Sequence, residues 1–310
     1  GTVYTHAETV ARSENITGPY ELHPNKHLIT SHGYKGRIQK SGHASMCCGK
    51  DGEWYLAHLC GRPVNDSLRC ILGRETSIQK LKWENGWPYL ANGTMFPDDY
   101  IEVSDDIVYR EENEIFYDFN DDSYKKDFQS LRIPLDKNVV NTDERKGYLR
   151  IYGKESVSSC HEQSLVCRRQ DAFIFEAQTR LCFEPETFQH TAGLIYRYNE
   201  DNLYYLFASY DEVLNSKTLR IYSLDNKNYT LTSRDGSVRF SGDISLKVAV
   251  NYAVGQFWYS LDDKNWIKIG DEFDASILSD EYADPMGFTG AFVGMCCQDG
   301  KDKKMHADFE

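Results

Sequence analysis

The sequence predicts an all-β protein. Apolar and polar residues alternate along short segments such as Tyr148–Tyr152 and Ser245–Val250, and a period of two is typical of a strand with one face in a core. Turns rich in Gly, Asn and Asp separate these segments, and no long window has convincing helical periodicity. Aromatic residues make up 13% of the chain, and such side chains favour strands. Segments of the same kind are Trp54–Leu59, Ala172–Ala177, Ala192–Arg197, Leu203–Ala208 and Gln256–Ser260.

The length of 310 residues suits two domains. Residues 95–125 contain an acid-rich stretch that indicates a linker, so we divide the chain into residues 1–104 and 105–310. The upstream part has the turn and strand signals of propeller blades, but it is long enough for about two four-stranded blades, which cannot close a ring. The downstream part, with its evenly spaced strands, is typical of a two-sheet sandwich.

The charge balance favours a neutral ligand. The chain carries 48 acids against 35 bases, a formal charge of −13, and this disfavours a nucleic-acid partner because phosphate binding needs a basic surface. No apolar run is long enough to span a bilayer, so we predict no membrane partner. Four N-x-S/T sequons, at Asn15, Asn65, Asn92 and Asn228, predict glycosylation and secretion to the extracellular side.

The nine cysteines predict no metal site by their spacing. Cys47-Cys48 and Cys296-Cys297 are adjacent pairs, which differ from the C-x-x-C spacing of zinc ligands. We expect mostly buried free thiols, with one or two disulfides as the alternative. The sequence has no nucleotide-binding glycine loop, and we predict no cofactor.

Several longer motifs are more specific than composition. They are Thr9–Ser13, Ile16–Tyr20, Gln39–Ser45, Glu53–Leu59, Gly61–Pro63, Leu72–Gln79, Gly86–Pro88, Asp274–Tyr282 and Gly287–Gly294. In this order they resemble glycoside hydrolase family 43, in its β-xylosidase branch with a C-terminal sandwich. The resemblance runs from Gly1 to Glu310.

The resemblance implies a partial five-bladed β-propeller followed by a concanavalin-like jelly-roll sandwich. It implies an inverting hydrolase that removes xylose from the non-reducing end of xylo-oligosaccharides, and some members act on arabinofuranosides. The family's catalytic base, its second aspartate and its acid all lie upstream of the region that matches this chain, and the family's Glu-Gly-Pro-His segment is absent here. We therefore expect no catalytic carboxylate in this chain, and an N-terminal propeller segment, separate or cleaved, as its partner.

The resemblance also marks residues that support a sugar pocket. His43, in Gly-His-Ala-Ser, matches a histidine at the propeller centre, near which some members bind a water or a cation. The alternative is that His43 is a histidine of the core. Arg74, in Gly-Arg-Glu-Thr, matches an arginine that hydrogen-bonds the sugar and a catalytic carboxylate, and a guanidinium suits this role because it stays charged with a rigid fork of donors. The alternative is an ion pair with Glu75. Thr2 matches a pocket-lining threonine.

In the family that this chain resembles, a phenylalanine of the sandwich lines the sugar pocket. Phe288 and Phe292 are both candidates, because residues four apart lie on the same face of a strand; we favour Phe292, with a core position as its alternative. Asp280 and Glu281 are assigned no chemistry.

Three hypotheses remain open. The chain is the C-terminal part of a two-part β-xylosidase, or an incomplete sequence of a single-chain enzyme, or a non-catalytic glycan-binding or structural sandwich module. The first two are favoured, because two isolated blades would expose unpaired strand edges.

Overall fold

The computed structural model describes residues 3–64, 66–103 and 114–310. Its described residues contain strands, turns and two short 3₁₀ helices, Asp122–Lys126 and Ala275–Ile277, and no α-helix. The all-β prediction is confirmed. The predicted domain boundary between residues 104 and 105 lies outside the described residues.

Residues 3–103, the N-terminal unit, contain one four-stranded antiparallel sheet and two small ribbons. The strands are β1 (Ala7–Glu8), β2 (Ala11–Arg12), β3 (Glu21–Leu22), β4 (Ile29–Thr30), β5 (Gln39–Cys48), β6 (Trp54–Gly61), β7 (Glu75–Glu84) and β8 (Trp87–Leu90). The sheet has the meander order β5-β6-β7-β8, while β1 pairs with β4 and β2 with β3. This is the sheet expected of a propeller blade; the number of blades stays a prediction.

The core of the N-terminal unit is small. Alternation along β6 turns Leu56 inward, and β7 and β8 contribute Leu81 and Leu90. These side chains pack with Leu28 and Ile29, and all five are buried. The unit therefore depends on few apolar contacts of its own.

Residues 114–310 form the predicted sandwich. Its strands are β9 (Phe128–Gln129), β10 (Val140–Asn141), β11 (Leu149–Tyr152), β12 (Ser164–Arg169), β13 (Ile174–Cys182), β14 (His190–Arg197), β15 (Asn202–Asp211), β16 (Ser216–Asp225), β17 (Asn228–Leu231), β18 (Val238–Phe240), β19 (Ile244–Asn251), β20 (Val254–Ser260), β21 (Ile267–Asp274), β22 (Phe292–Asp299) and β23 (His306–Phe309). One sheet has the order β10-β11-β23-β13-β19-β20-β21, and the other has β17-β16-β15-β14-β22-β12-β9 with β18 beside β16.

The two sheets enclose a large apolar core. Alternating side chains such as Leu194 and Tyr196 of β14 meet Leu246 and Val248 of β19, and all are buried. The opposite face of the β14 sheet is also apolar and forms a second cluster around Tyr205. A sheet buried on both faces is a rigid support for the loops at its ends.

All nine cysteines are free thiols, and five of them are buried, as expected. The sequon residues Asn15, Asn92 and Asn228 are exposed, while Asn65 lies outside the described residues; their glycosylation stays a prediction. Within the described ranges, no helix is long and apolar enough to cross a membrane.

Candidate functional site

The N-terminal unit and the sandwich touch where two glycine backbones meet. Gly73 and Gly290 both have positive φ angles, of 65° and 71°. A Cβ added to Gly73 would lie 2.3 Å from the Gly290 nitrogen, and one added to Gly290 would lie 2.5 Å from the Gly73 nitrogen. Only glycine permits this approach. The amide of Ala291 then donates to the carbonyl of Ile71 at 2.8 Å, which fixes the two loops together.

This approach brings Arg74 against a buried carboxylate of the sandwich. Nη1 of Arg74 donates to Oδ2 of Asp280 at 2.6 Å, and their side chains are 7% and 0% exposed. The hydroxyl of Tyr198, in the turn between β14 and β15, donates to the other oxygen, Oδ1, at 2.8 Å. Burial, and after it the Asp280 carboxylate, raises the pKa of Tyr198, so this hydroxyl stays protonated as the donor.

Half of the Arg74 guanidinium is left without a partner. Nε and Nη2 are buried and have no hydrogen-bond partner among the residues that the structure describes. Buried donors in proteins are normally paired, and leaving one unpaired costs about 1–3 kcal/mol, or more when the donor belongs to a charged group such as a guanidinium. The ring of Phe288 lies 5.4 Å from the guanidinium carbon. The Nε/Nη2 edge can donate two parallel hydrogen bonds to a carboxylate or to neighbouring hydroxyl groups.

A second ion pair lies beside the first. Nζ of Lys40 contacts Oε1 of Glu281, and the two side chains are 0% and 13% exposed. Oε2 of Glu281 accepts from the amide of Cys70 at 2.6 Å, and the Lys40 ammonium lies 4.8 Å from the centre of the Tyr4 ring. Burial, with a smaller contribution from the Arg74 charge, lowers the pKa of Lys40 to about 8, while Cys70 and Asp280 oppose this shift. Asp280 and Glu281 thus each neutralise one cation of the N-terminal unit.

The predicted site residues are not all at this junction. Arg74 is, and its expected alternative partner Glu75 instead receives three hydrogen bonds from Arg62. His43 is exposed on β5 with a φ of 52°, where the pairing with β6 shifts register. Thr2 lies outside the described residues. The sugar-binding roles of His43 and Thr2 stay predictions.

The two candidate phenylalanines lie in different surroundings, and the pocket role of either one stays a prediction. Phe288 lies beside Arg74, whereas Phe292 sits opposite Arg169 and Arg197 in its sheet and packs on the second apolar cluster of the sandwich. The same-face argument assumed that both residues belong to one strand. Strand β22 begins only at Phe292, so Phe288 belongs to the preceding loop and points elsewhere.

The sequence reasoning missed Asp280, Glu281, Tyr198 and Lys40. Residues 275–280 are all buried, and Asp280 closes this run. A carboxylate that ends an apolar and small-residue segment is rarely buried without a cation. That pattern was the available signal, although it does not identify the partner.

One cluster of the described residues has the composition of a metal site, and it lies elsewhere. His190, Asp299 and Asp302 bring their ligand atoms within 4.8 Å of one another. The Asp299 carboxylate, however, accepts four backbone N–H groups between Lys301 and Met305, and Nδ1 of His190 accepts the amide of Glu186. These bonds make Asp299 the organiser of a turn, while Nε2 of His190 lies 3.4 Å from Oδ1 of Asp299 without a hydrogen-bond partner among the described residues. A cation near His43 stays a prediction.

The chain matches two family models. One, described as the beta xylosidase C-terminal concanavalin A-like domain, covers residues 117–310, and the other, glycosyl hydrolases family 43, covers residues 1–88. The chain is 38% identical over 325 residues to the beta-xylosidase of Bacillus subtilis (strain 168), covering 100% of this chain and 60% of the relative. It is 37% identical to xylosidase/arabinosidase 43B of Humicola insolens, covering 100% and 59%.

A solved structure is similar throughout. The crystal structure of xylan beta-1,4-xylosidase from Bacillus halodurans C-125 has a TM-score of 0.94 and 38% identity, covering 100% of this chain and 60% of that one. The chain therefore spans about three fifths of the length of the relatives it matches.

Proposed function

This chain belongs to glycoside hydrolase family 43, and we propose that it forms one wall of the sugar-binding site of an inverting β-xylosidase. The substrate is a xylo-oligosaccharide that loses xylose from its non-reducing end. The observation that carries this proposal is the buried Nε/Nη2 edge of Arg74, which has no partner among the described residues. A neutral sugar also fits the strongly acidic chain better than a phosphate-bearing ligand.

The carboxylates at the junction are not available for catalysis. Inversion needs a general acid and a general base about 6.5–9.5 Å apart, with a water between the base and the sugar. Asp280 is fully buried with both oxygens bonded, and both oxygens of Glu281 are likewise engaged. In this proposal, the acid and base lie on a propeller segment outside these 310 residues, either on the same polypeptide or on a separate one.

Arg74 has two tasks in this proposal. Its Nε/Nη2 edge donates to a sugar hydroxyl and to a catalytic carboxylate, and its charge keeps that carboxylate ionised. Phe288 is 54% exposed beside the guanidinium, so its flat face is free to stack on the sugar ring. His43 and Thr2 complete the pocket in this proposal.

An arabinofuranoside is the second candidate substrate. The Humicola insolens relative is named for both xylosidase and arabinosidase activity, and both sugars are terminal pentoses. Secretion remains part of the proposal, with Asn15, Asn92 and Asn228 as exposed acceptor sites.

The test combines two measurements on one purified sample. The intact mass of the denatured protein shows which polypeptides are present, and 4-nitrophenyl β-D-xyloside and α-L-arabinofuranoside report hydrolysis. Hydrolysis that requires residues beyond this chain supports the proposal. Hydrolysis by the 310-residue chain alone would overturn the external origin of the carboxylates.

If the upstream segment is present and neither glycoside is hydrolysed, the β-xylosidase proposal fails. Calorimetry with xylo-oligosaccharides then measures binding alone. Binding that survives the loss of Arg74 but not of exposed sandwich aromatics would favour a glycan-binding module.

A further inference from the structure

We propose that Asp280 and Tyr198 of the sandwich are positioning residues that orient Arg74 for the sugar. This inference rests on the proposed function for its catalytic consequence. The orientation itself is a property of the junction, and it is testable without substrate.

Three chain segments converge on the Asp280 carboxylate. Arg74, just before β7, donates from Nη1 at 2.6 Å, and Tyr198 donates from the turn after β14 at 2.8 Å. The amide of Gly290, from the loop before β22, lies 3.3 Å from Oδ1. Asp280 itself follows the buried 3₁₀ helix Ala275–Ile277. A carboxylate bonded from three directions has one orientation, and it transmits that orientation to Arg74.

This anchoring decides which edge of the guanidinium is presented. The guanidinium is planar and rigid. The hydrogen bond from Nη1 and the neighbouring Phe288 ring therefore restrict the rotation of the whole group. The edge formed by Nε and Nη2 then remains for a ligand. The Asp280 charge also compensates a cation whose side chain is only 7% exposed and that would otherwise be buried without a counter-charge.

A simple clamp between the two units does not explain the arrangement. The junction is already held by the Ala291–Ile71 backbone hydrogen bond, by the Lys40–Glu281 contact and by Arg169, whose Nη2 donates to the Arg74 carbonyl at 2.6 Å. The unpaired edge alone does not distinguish Arg74, because Nε and Nη2 of Arg197 in the sandwich are also buried without a hydrogen-bond partner in the described part of the chain. Arg74 differs in its place, since its guanidinium lies at the junction beside the half-exposed ring of Phe288.

The test compares Asp280→Asn with a matched control at the same junction. Asp274→Asn removes the carboxylate of another inter-unit ion pair, in which Nη1 of Arg69 lies 3.1 Å from Oδ2 of Asp274. The Asp274 side chain is 51% exposed, and it pairs with Arg69 rather than with Arg74. Both substitutions replace one carboxylate oxygen by an amide nitrogen of similar size. Asp274→Asn keeps an Oδ1 that can accept the Ser276 amide and cap the 3₁₀ helix before Asp280, so the control changes mainly the contact with Arg69.

The first readout is phenylglyoxal labelling of arginines in the intact enzyme, mapped by peptide mass spectrometry. We expect Asp280→Asn to accelerate labelling of Arg74 at least fivefold, while Asp274→Asn accelerates labelling of Arg69 and leaves Arg74 unchanged. Equal labelling of Arg74 in wild type and Asp280→Asn would overturn the positioning role. This result does not depend on any glycosidase activity, so it stands apart from failure of the proposed function.

The second readout is the split between KM and kcat for 4-nitrophenyl β-D-xyloside. We expect Asp280→Asn to raise KM at least tenfold, with Asp274→Asn within twofold of wild type. A merely structural role would lower the apparent kcat through fewer folded molecules and leave KM unchanged, which would contradict the inference. If Asp280→Asn fails to fold, Tyr198→Phe replaces it, with an expected threefold to tenfold rise in KM; a KM within twofold of wild type for this variant would also overturn the role.

Discussion

Two arginine–aspartate pairs, one at the junction and one inside the sandwich, share their chemistry and differ in how completely they are bonded. In the sandwich, Nε and Nη2 of Arg150 hold Asp308 at 2.7 and 3.0 Å, and Nη1 donates to Glu144 at 2.6 Å. Arg145 adds a further bond to Asp308. At the junction, Arg74 bonds Asp280 through Nη1, while Nε and Nη2 have no partner among the described residues.

The difference separates a fully bonded structural pair from one whose arginine keeps donors unpaired among the described residues. Arg150 and Asp308 face each other directly on β11 and β23, so their bonds fix strand register. Burial alone would raise the pKa of Asp308, but hydrogen bonds from Arg150 and then Arg145 outweigh it and lower that pKa. The more deeply buried Arg74 keeps these unpaired donors, as does Arg197 in the sandwich, but only Arg74 of these two lies at the junction beside Phe288.

The largest expected effect comes from exchanging the arginine of each pair for lysine. Arg74→Lys keeps a charge near Asp280 but removes the two-nitrogen edge, so kcat/KM should fall about 100-fold or more, or about 2.7 kcal/mol. Arg150→Lys should leave kcat/KM of the folded enzyme unchanged and lower the unfolding temperature. Steady-state kinetics and thermal denaturation of both variants check this. Arg74→Lys with activity within fivefold of wild type would contradict the distinction.

The next effect concerns the sandwich pair alone. Asp308→Asn leaves the guanidinium of Arg150 and that of Arg145 without their shared counter-charge, and the Asp308 side chain is only 7% exposed. We expect a loss of about 3 kcal/mol in the free energy of unfolding. Urea denaturation measures it, with KM as the control that should not move. A loss below about 1 kcal/mol would show that the Arg150–Asp308 pair contributes little to stability.

A methyl group at the junction sharpens the comparison further. Gly290→Ala places a Cβ about 2.5 Å from the Gly73 nitrogen, so the loops must separate and the Arg74–Asp280 pair must shift. Gly242→Ala is the matched control, because Gly242 has a φ of 73° but an added Cβ would meet nothing within 4 Å. Gly242→Ala should cost about 1 kcal/mol of strain, and Gly290→Ala about 2 kcal/mol together with a higher KM. Equal costs and equal KM values would contradict the close approach.

The smallest expected effect is the pH dependence of the stability that Asp211, a fully hydrogen-bonded carboxylate of the sandwich, contributes. Hydrogen bonds from Arg234, and also from Arg220 and the Leu214 amide, lower the pKa of Asp211 to about 2, although burial opposes them. Because the unfolded value is about 3.9, Asp211 stabilises the fold fully above about pH 4 and loses this contribution as the pH falls through 2. Urea midpoints between pH 5 and 2.5 should fall less in Asp211→Asn than in wild type. The exposed Asp235→Asn is the control and should follow wild type.

Alternation of apolar and polar residues predicted the strands, because successive side chains of a strand point to opposite faces of the sheet. Leu149 and Ile151 are buried while Arg150 and Tyr152 are partly exposed. Every segment proposed from this pattern coincides with a strand, although Tyr148, Ala172 and Phe173 precede the strands that follow them. Arg74 was also predicted, because its local motif is distinctive. The spacing of Phe288 and Phe292 could not separate them, because the start of β22 is not marked in the pattern.

The sequence by itself therefore determined the all-β class, the sandwich and the family, and it singled out Arg74 as a candidate site residue. These depend on local periodicity and on motifs that are contiguous in the chain. Only the tertiary structure decided that Asp280, Tyr198 and Phe288 complete the surroundings of Arg74. Asp280 lies 206 positions from Arg74, and their contact depends on how the Gly73 and Gly290 backbones pass each other in space, which no local pattern encodes.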